Sequence, residues 1–101
     1  MQVFGFIDPK QIAKERQKAR LLRKSQWWKQ QLATGVCHYC QKSFTREDLT
    51  MDHKIPIARG GKSNKGNVVV CCKACNNEKK YLTPAELALE GLSAQSFASE
   101  E

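Results

Sequence analysis

The chain has 101 residues, of which 27% are charged, and a net charge of +7, which allows one small domain with extensions and excludes a large core. No stretch approaches the length of a transmembrane helix, and the N-terminus lacks a basic start followed by a long apolar run, so the expectation is a cytoplasmic protein with no membrane association. Residues 1–36 carry eight Lys/Arg against Asp8 and Glu15, residues 37–82 carry nine against four acids, and residues 83–101 carry four glutamates and no base. A basic body with an acidic tail favours a polyanionic partner, most simply nucleic acid.

Asp8-Pro9 reads as a helix start, with Asp as N-cap, Pro at the first helical position and Gln11 at the capping-box position. Strong helix formers then run to about Leu32, and Gly35 provides a C-terminal stop. Leu21, Trp28 and Leu32 fall on one face with Ser25 between them, which predicts a surface for docking on the rest of the domain. Lys10 to Lys24 holds seven Lys/Arg and a single acid, either a solvated face or an arm that contacts phosphates. Trp27 and Trp28 are read as packing residues.

Residues 37–48 form a knuckle and a turn. Leu49 to Ile57 alternates Met51, Ile55 and Ile57 with Asp52 and Lys54, which predicts a strand with Pro56 at its edge or end. Residues 59–67 are a polar loop in which Gly60-Gly61 supplies turn geometry, and Val68-Val69-Val70 is a short buried strand. A second knuckle then opens a helix through about Tyr81. Thr83-Pro84-Ala85-Glu86 is a further capping box that starts a short helix with Leu87 and Leu89, and the chain after Gly91 is expected to fray.

Four of the five cysteines form two C-x-x-C pairs, Cys37/Cys40 and Cys72/Cys75. In a reducing compartment this spacing predicts one structural Zn²⁺ held by four thiolates, closed to water, whose binding free energy becomes folding free energy. Cys71 follows three valines and is expected to be a small buried hydrophobe, while His38 faces solvent or phosphate. Between and beside the knuckles lie Asp52-His53, Gly60-Gly61, Asn67 and Asn76-x-x-Lys79. A carboxylate, an imidazole and a carboxamide so placed suit a second metal site with hydrolytic chemistry.

In residue types, order and spacing, residues 37–80 resemble the HNH endonucleases, the ββα-metal nucleases, in the subgroup with a four-cysteine zinc. The resemblance implies a small α+β, zinc-stapled ββα-metal core (37–82); outside it, composition alone predicts a basic helical N-terminal extension (1–36) and a short helix with an acidic tail (83–101). The resemblance also implies that His53 is the general base, that Asp52 and Asn76 hold one catalytic Mg²⁺ or Mn²⁺, and that Asn67 ties down the loop and helps orient the histidine. The implied products carry 5′-phosphate and 3′-hydroxyl ends. Successive strand residues face opposite ways, so Asp52 and His53 can serve together only near a strand end or bulge. The family's last ligand is often histidine; here it is Asn76, with Asn77 an alternative one register step away. Lys79, one helical turn beyond Asn76, and Lys54 and Arg59 are the expected nucleic-acid contacts.

The leading expectation is a metal-dependent endonuclease acting on DNA with weak sequence specificity. Its alternatives are a non-catalytic zinc-stabilised nucleic-acid-binding module and a zinc finger that binds an acidic protein. The N-terminal helix could also hold a partner protein that supplies targeting. Substrate structure, DNA against RNA, and oligomeric state are left open by the residues.

Overall fold

The structure is a computed structural model that describes residues 7–79 and 81–89. Two helices, α1 (Pro9–Arg23) and α2 (Gln26–Ala33), precede the antiparallel strands β1 (Leu49–His53) and β2 (Val68–Cys72), and β2 runs directly into α3 (Lys73–Lys79). Residues 84–89 form a further short helical segment. The architecture is the expected small α+β fold, a two-stranded sheet followed by a helix. The expected tail after Gly91 lies outside the described residues. Among the described residues no helix is long and apolar enough to cross a membrane.

The N-terminal helix is two helices rather than one. Ser25 takes an extended conformation, and its Oγ accepts from Trp28 N at 3.1 Å while donating to the Leu22 carbonyl at 2.6 Å. A serine in this position ends one helix and caps the next, a cap contributing about 1 kcal/mol. The break changes the docking face: Trp28 is buried and Leu32 packs beside it, but Leu21 is 60% exposed. Ala19 of α1 joins Trp28 in the same core as Leu49, Met51, Val68, Val70 and Cys71. Asp8 caps α1 as expected, with its side chain accepting from Lys10 N. Gln11 does not close a capping box; its amide donates to Glu15 instead. Gly35, at φ +69°, ends α2 where the sequence placed the stop.

β1 is shorter than the alternation predicts. It ends at His53 because Asn67 occupies the main-chain groups of Ile55: the Ile55 N–H donates to Asn67 Oδ1 at 2.9 Å, and Asn67 Nδ2 donates to the Ile55 carbonyl at 3.0 Å. A side-chain amide therefore substitutes for the ladder, and Pro56 has no N–H with which to resume it. The chain then turns through residues 57–59 into Gly60, at φ +93°, and Gly61. A Cβ at Gly61 would overlap the Ile55 carbonyl oxygen, so the second glycine is required by close backbone approach. β2 extends beyond the three valines to Cys72, and Tyr81, where the helix was expected to end, lies in a turn after α3. The Thr83/Glu86 box forms as read: Thr83 N donates to Glu86 Oε1 at 2.9 Å and Thr83 Oγ1 accepts from Glu86 N at 3.4 Å.

Candidate active site and metal centre

Both knuckles bring their sulfurs to one point. The Sγ atoms of Cys37, Cys40, Cys72 and Cys75 all lie within 4.8 Å of one another, and Cys40 and Cys72 are 4.0 Å apart. Tetrahedral Zn–S bonds of about 2.3 Å place sulfurs roughly 3.8 Å apart, so the four residues fit a zinc ion with all positions filled by protein. Main-chain donors serve the sulfurs: Tyr39 N lies 3.3 Å from Cys37 Sγ, and Cys75 N lies 3.4 Å from Cys72 Sγ. Burial opposes ionisation of Cys37, but the surrounding backbone N–H groups outweigh it and bring its thiol down to about 6. Cys71, also buried, is not one of the four; burial first, then nearby negative charge, pushes its thiol up to about 12.

The other candidate residues meet where the end of β1 faces α3. Asp52, His53 and Asn76 line one cleft of about 210 Å³ with Arg16 of α1 at its wall. His53 is the last residue of β1, which is how consecutive side chains can share that cleft. A second, larger hollow of about 540 Å³ shares Met51 and Asn76 with the first and is lined by Arg23, Arg46 and Thr50. Three arginines thus border the space on either side of Asn76. None of the three was singled out from the sequence, where Arg16 and Arg23 were only part of a basic run.

Asp52 is 5% exposed; its Oδ2 accepts from the Tyr39 hydroxyl at 2.6 Å and lies 3.5 Å from Lys79 Nζ. Burial and the Asp52 charge raise the Tyr39 phenol above its ordinary value, so it remains a donor. Lys79 is only 2% exposed and donates to the His53 carbonyl at 3.0 Å. Its ammonium is engaged inside the protein by Asp52 and the His53 carbonyl, whereas the sequence predicts that it contacts a phosphate. Arg59 is likewise engaged, by Glu86 at 3.1 Å and by the Tyr81 carbonyl at 3.3 Å. Lys54 is half-buried, and its N–H donates to the Asn67 carbonyl at 2.7 Å.

Counting protons orients two further groups. Thr50 Oγ1 donates its one proton to the Cys71 carbonyl at 3.0 Å, so towards Asn76 it can only accept, and Asn76 Nδ2 stands 3.3 Å away. The amide nitrogen is fixed by that contact, and Oδ1 makes no hydrogen bond among the described residues. An amide oxygen beside a carboxylate is a hard oxygen pair suited to Mg²⁺ or Mn²⁺. His53 Nε2 lies 2.9 Å from Ser63 Oγ. Burial first, and then the charge of Arg23, hold the His53 imidazole below its ordinary 6.5, so near neutral pH it is an uncharged base. Asn67 closes the loop at its base, with Nδ2 also donating to the Lys62 carbonyl at 2.8 Å. Among the described residues its side chain bonds only main-chain groups of Ile55 and Lys62, and no hydrogen bond joins it to His53.

Tyr39, Thr50, Ser63 and Glu15 complete this network and were missed in the sequence. The only available signal was Glu15, the one acid in a run of seven bases. A family model described as HNH endonuclease matches residues 37–90, more than half of the chain. No curated protein matches it.

Proposed function

Because this chain belongs to the HNH endonuclease family, we propose that it hydrolyses phosphodiester bonds in DNA, with His53 as general base and Asp52 and Asn76 as the ligands of one divalent ion. The observation that carries the reading is the convergence of these three side chains on one cleft walled by Arg16. A Mg²⁺ or Mn²⁺ held by Asp52 and Asn76 would polarise the phosphate and stabilise charge on the departing oxygen. The four-thiolate zinc would serve the fold alone.

The chain's own residues supply the rest. The neutral imidazole takes a proton from water as the water oxygen bonds to phosphorus and the bond from phosphorus to the 3′ oxygen breaks. The product ends are a 5′-phosphate and a 3′-hydroxyl, the latter protonated by solvent. Tyr39 and Lys79 hold the Asp52 carboxylate in place, and Thr50 holds the Asn76 amide. Arg16, Arg23 and Arg46 offer guanidinium groups to neighbouring phosphates, contacts that carry no sequence information by themselves.

The test is cleavage of supercoiled plasmid by the zinc-loaded protein, with and without added Mg²⁺ or Mn²⁺, beside His53→Ala. Nicking or linearisation that requires the added ion and vanishes in the variant is the expected result. Salt-sensitive DNA binding by both proteins with no cleavage would replace the reading with a non-catalytic binding module.

A further inference from the structure

The N-terminal helix lies outside the matched region 37–90, yet one of its residues reaches the candidate base through a single intermediary. Glu15 is 1% exposed although it is charged and stands among bases. Its Oε1 accepts from Ser63 N at 2.6 Å, and its main-chain carbonyl accepts from Ser63 Oγ at 2.6 Å. Its Oε2 accepts from Gln11 Nε2 at 3.1 Å and lies 3.5 Å from Lys18 Nζ. A buried carboxylate is costly unless its oxygens are satisfied. Here one carboxylate oxygen is satisfied by the Ser63 N–H, while the main-chain carbonyl of the same residue holds the Ser63 hydroxyl, so the two bonds together clamp one serine.

The clamp has a consequence for His53. A serine hydroxyl carries one proton, and a carbonyl oxygen can only accept. With that proton directed at the Glu15 carbonyl, Ser63 Oγ presents a lone pair to His53 Nε2, 2.9 Å away. The contact is a hydrogen bond only if Nε2 bears the ring proton. Nδ1 is then the basic nitrogen, and the ring is held at a fixed angle by a hydroxyl that is itself held at both ends. Asn67 secures the base of the same loop through Ile55 and Lys62. The serine is therefore fixed from the loop side by Asn67 and from the helix side by Glu15.

We infer that Glu15 and Ser63 are positioning residues for His53, making α1 a working part of the active site in which Ser63 receives the Nε2 proton and leaves Nδ1 to act on water. The inference rests on the general-base reading of His53, and its test is chosen so that the two can fail separately. The zinc-loaded full chain is labelled with ¹⁵N-histidine, and the His53 ring N–H is observed by NMR at a pH where the imidazole is neutral. Cleavage of an oligonucleotide duplex is measured in parallel, together with zinc content and thermal melting.

The expected wild-type signal is a ring proton on Nε2, protected from solvent exchange. Ser63→Ala should lose that protection and reduce kcat by about 10–100-fold with KM little changed, the size of loss seen when hydrogen-bond partners that orient metal-ligating histidines are removed. Ser63→Thr, which keeps the hydroxyl, should restore both. Glu15→Ala keeps the main-chain carbonyl but loses the carboxylate that holds Ser63 N, so it should lower protection and kcat in the same direction as Ser63→Ala but by less, and Glu15→Gln, which keeps an acceptor for Ser63 N, should stay near wild type. If Glu15→Ala does not fold, Glu15→Asp, one methylene too short to hold Ser63, takes its place. A ring proton on Nδ1, or unchanged protection and kcat in Ser63→Ala and in the Glu15 variant, would overturn the inference. Cleavage retained by His53→Ala would instead remove the general-base reading while the NMR result still stands on its own.

Discussion

Cys75 and Asn76 are consecutive residues of α3, and each belongs to a different centre. Cys75 completes a cluster made entirely of protein sulfurs, within 4.8 Å of one another. Asn76 lines a cleft that offers a carboxylate, an imidazole and an amide, with arginines at its borders. The first centre is saturated by its own ligands and can only hold the chain together. The second is sparse, and its groups hydrogen-bond to the hydroxyls of Tyr39, Thr50 and Ser63, the last of which is held in turn by the buried Glu15. The difference teaches that closing a site yields stability, whereas leaving one open requires a supporting network drawn from the rest of the fold.

The largest effect should come from breaking the closed centre. Cys72→Ser removes a ligand that is 1% exposed and ends β2 where α3 begins. Metal binding of this kind contributes on the order of 10 kcal/mol to folding of small zinc domains. The variant should lose its zinc and its cooperative thermal transition, measured by metal analysis and circular dichroism; a wild-type melt would contradict a structural four-thiolate site. The complementary change in the open centre, His53→Ala, should lower cleavage by about 10²–10⁴-fold. Its melt should move little, because one hydrogen bond to Ser63 contributes only about 1 kcal/mol. A variant that lost stability and activity together would blur the contrast between the two centres.

Asn67→Ala should show a mixed effect that locates the boundary between them. The side chain makes three bonds to the main chain of Ile55 and Lys62, and their loss leaves polar groups unpaired at roughly 1–3 kcal/mol. Because the same loop carries Ser63, cleavage should also fall by about 10–100-fold. Chemical denaturation and single-turnover cleavage separate the two losses. Unchanged cleavage at reduced stability would confine Asn67 to the fold.

The two centres also differ in how far they could be read from sequence. C-x-x-C pairs are legible because a knuckle is local: Cys37 Sγ meets Tyr39 N two residues on, and Cys72 Sγ meets Cys75 N three residues on. The Asp8 and Thr83 caps are local in the same sense. Asp52, His53 and Asn76 were legible as residue types at set spacing, but the groups that orient them were not. Glu15 and Ser63 are 48 residues apart, and only the tertiary fold brings them together. Propensity misled at Ser25, where a cap interrupts a run of good helix formers, and the burial of Lys79 against Asp52 had no signal in the sequence. Local chemistry was visible, and cooperation between distant segments was not.

The smallest expected effect is the acid sensitivity of Glu15, which tests whether the supporting network of the cleft is electrostatically distinct from the sulfur cluster. The Ser63 N–H, more than the charges of Lys18 and Lys62, holds the Glu15 carboxyl below its ordinary 4.5, against the opposing effect of burial. A carboxyl with a lowered folded-state value stabilises the native protein fully above 4.5. That contribution is lost as the pH falls through the lower, folded-state value. Acid also protonates thiolates, so the wild-type curve alone mixes both centres. Glu15→Gln removes only the carboxyl titration and leaves the cysteines untouched, and the difference between the two proteins cancels the shared loss. Denaturant midpoints measured from pH 6 to pH 3 should show wild type ahead of Glu15→Gln at the upper end, with the gap closing below pH 4.5. A gap that persisted unchanged to pH 3 would mean that the carboxylate charge contributes nothing to the clamp, leaving its hydrogen-bond geometry as the sole support for Ser63.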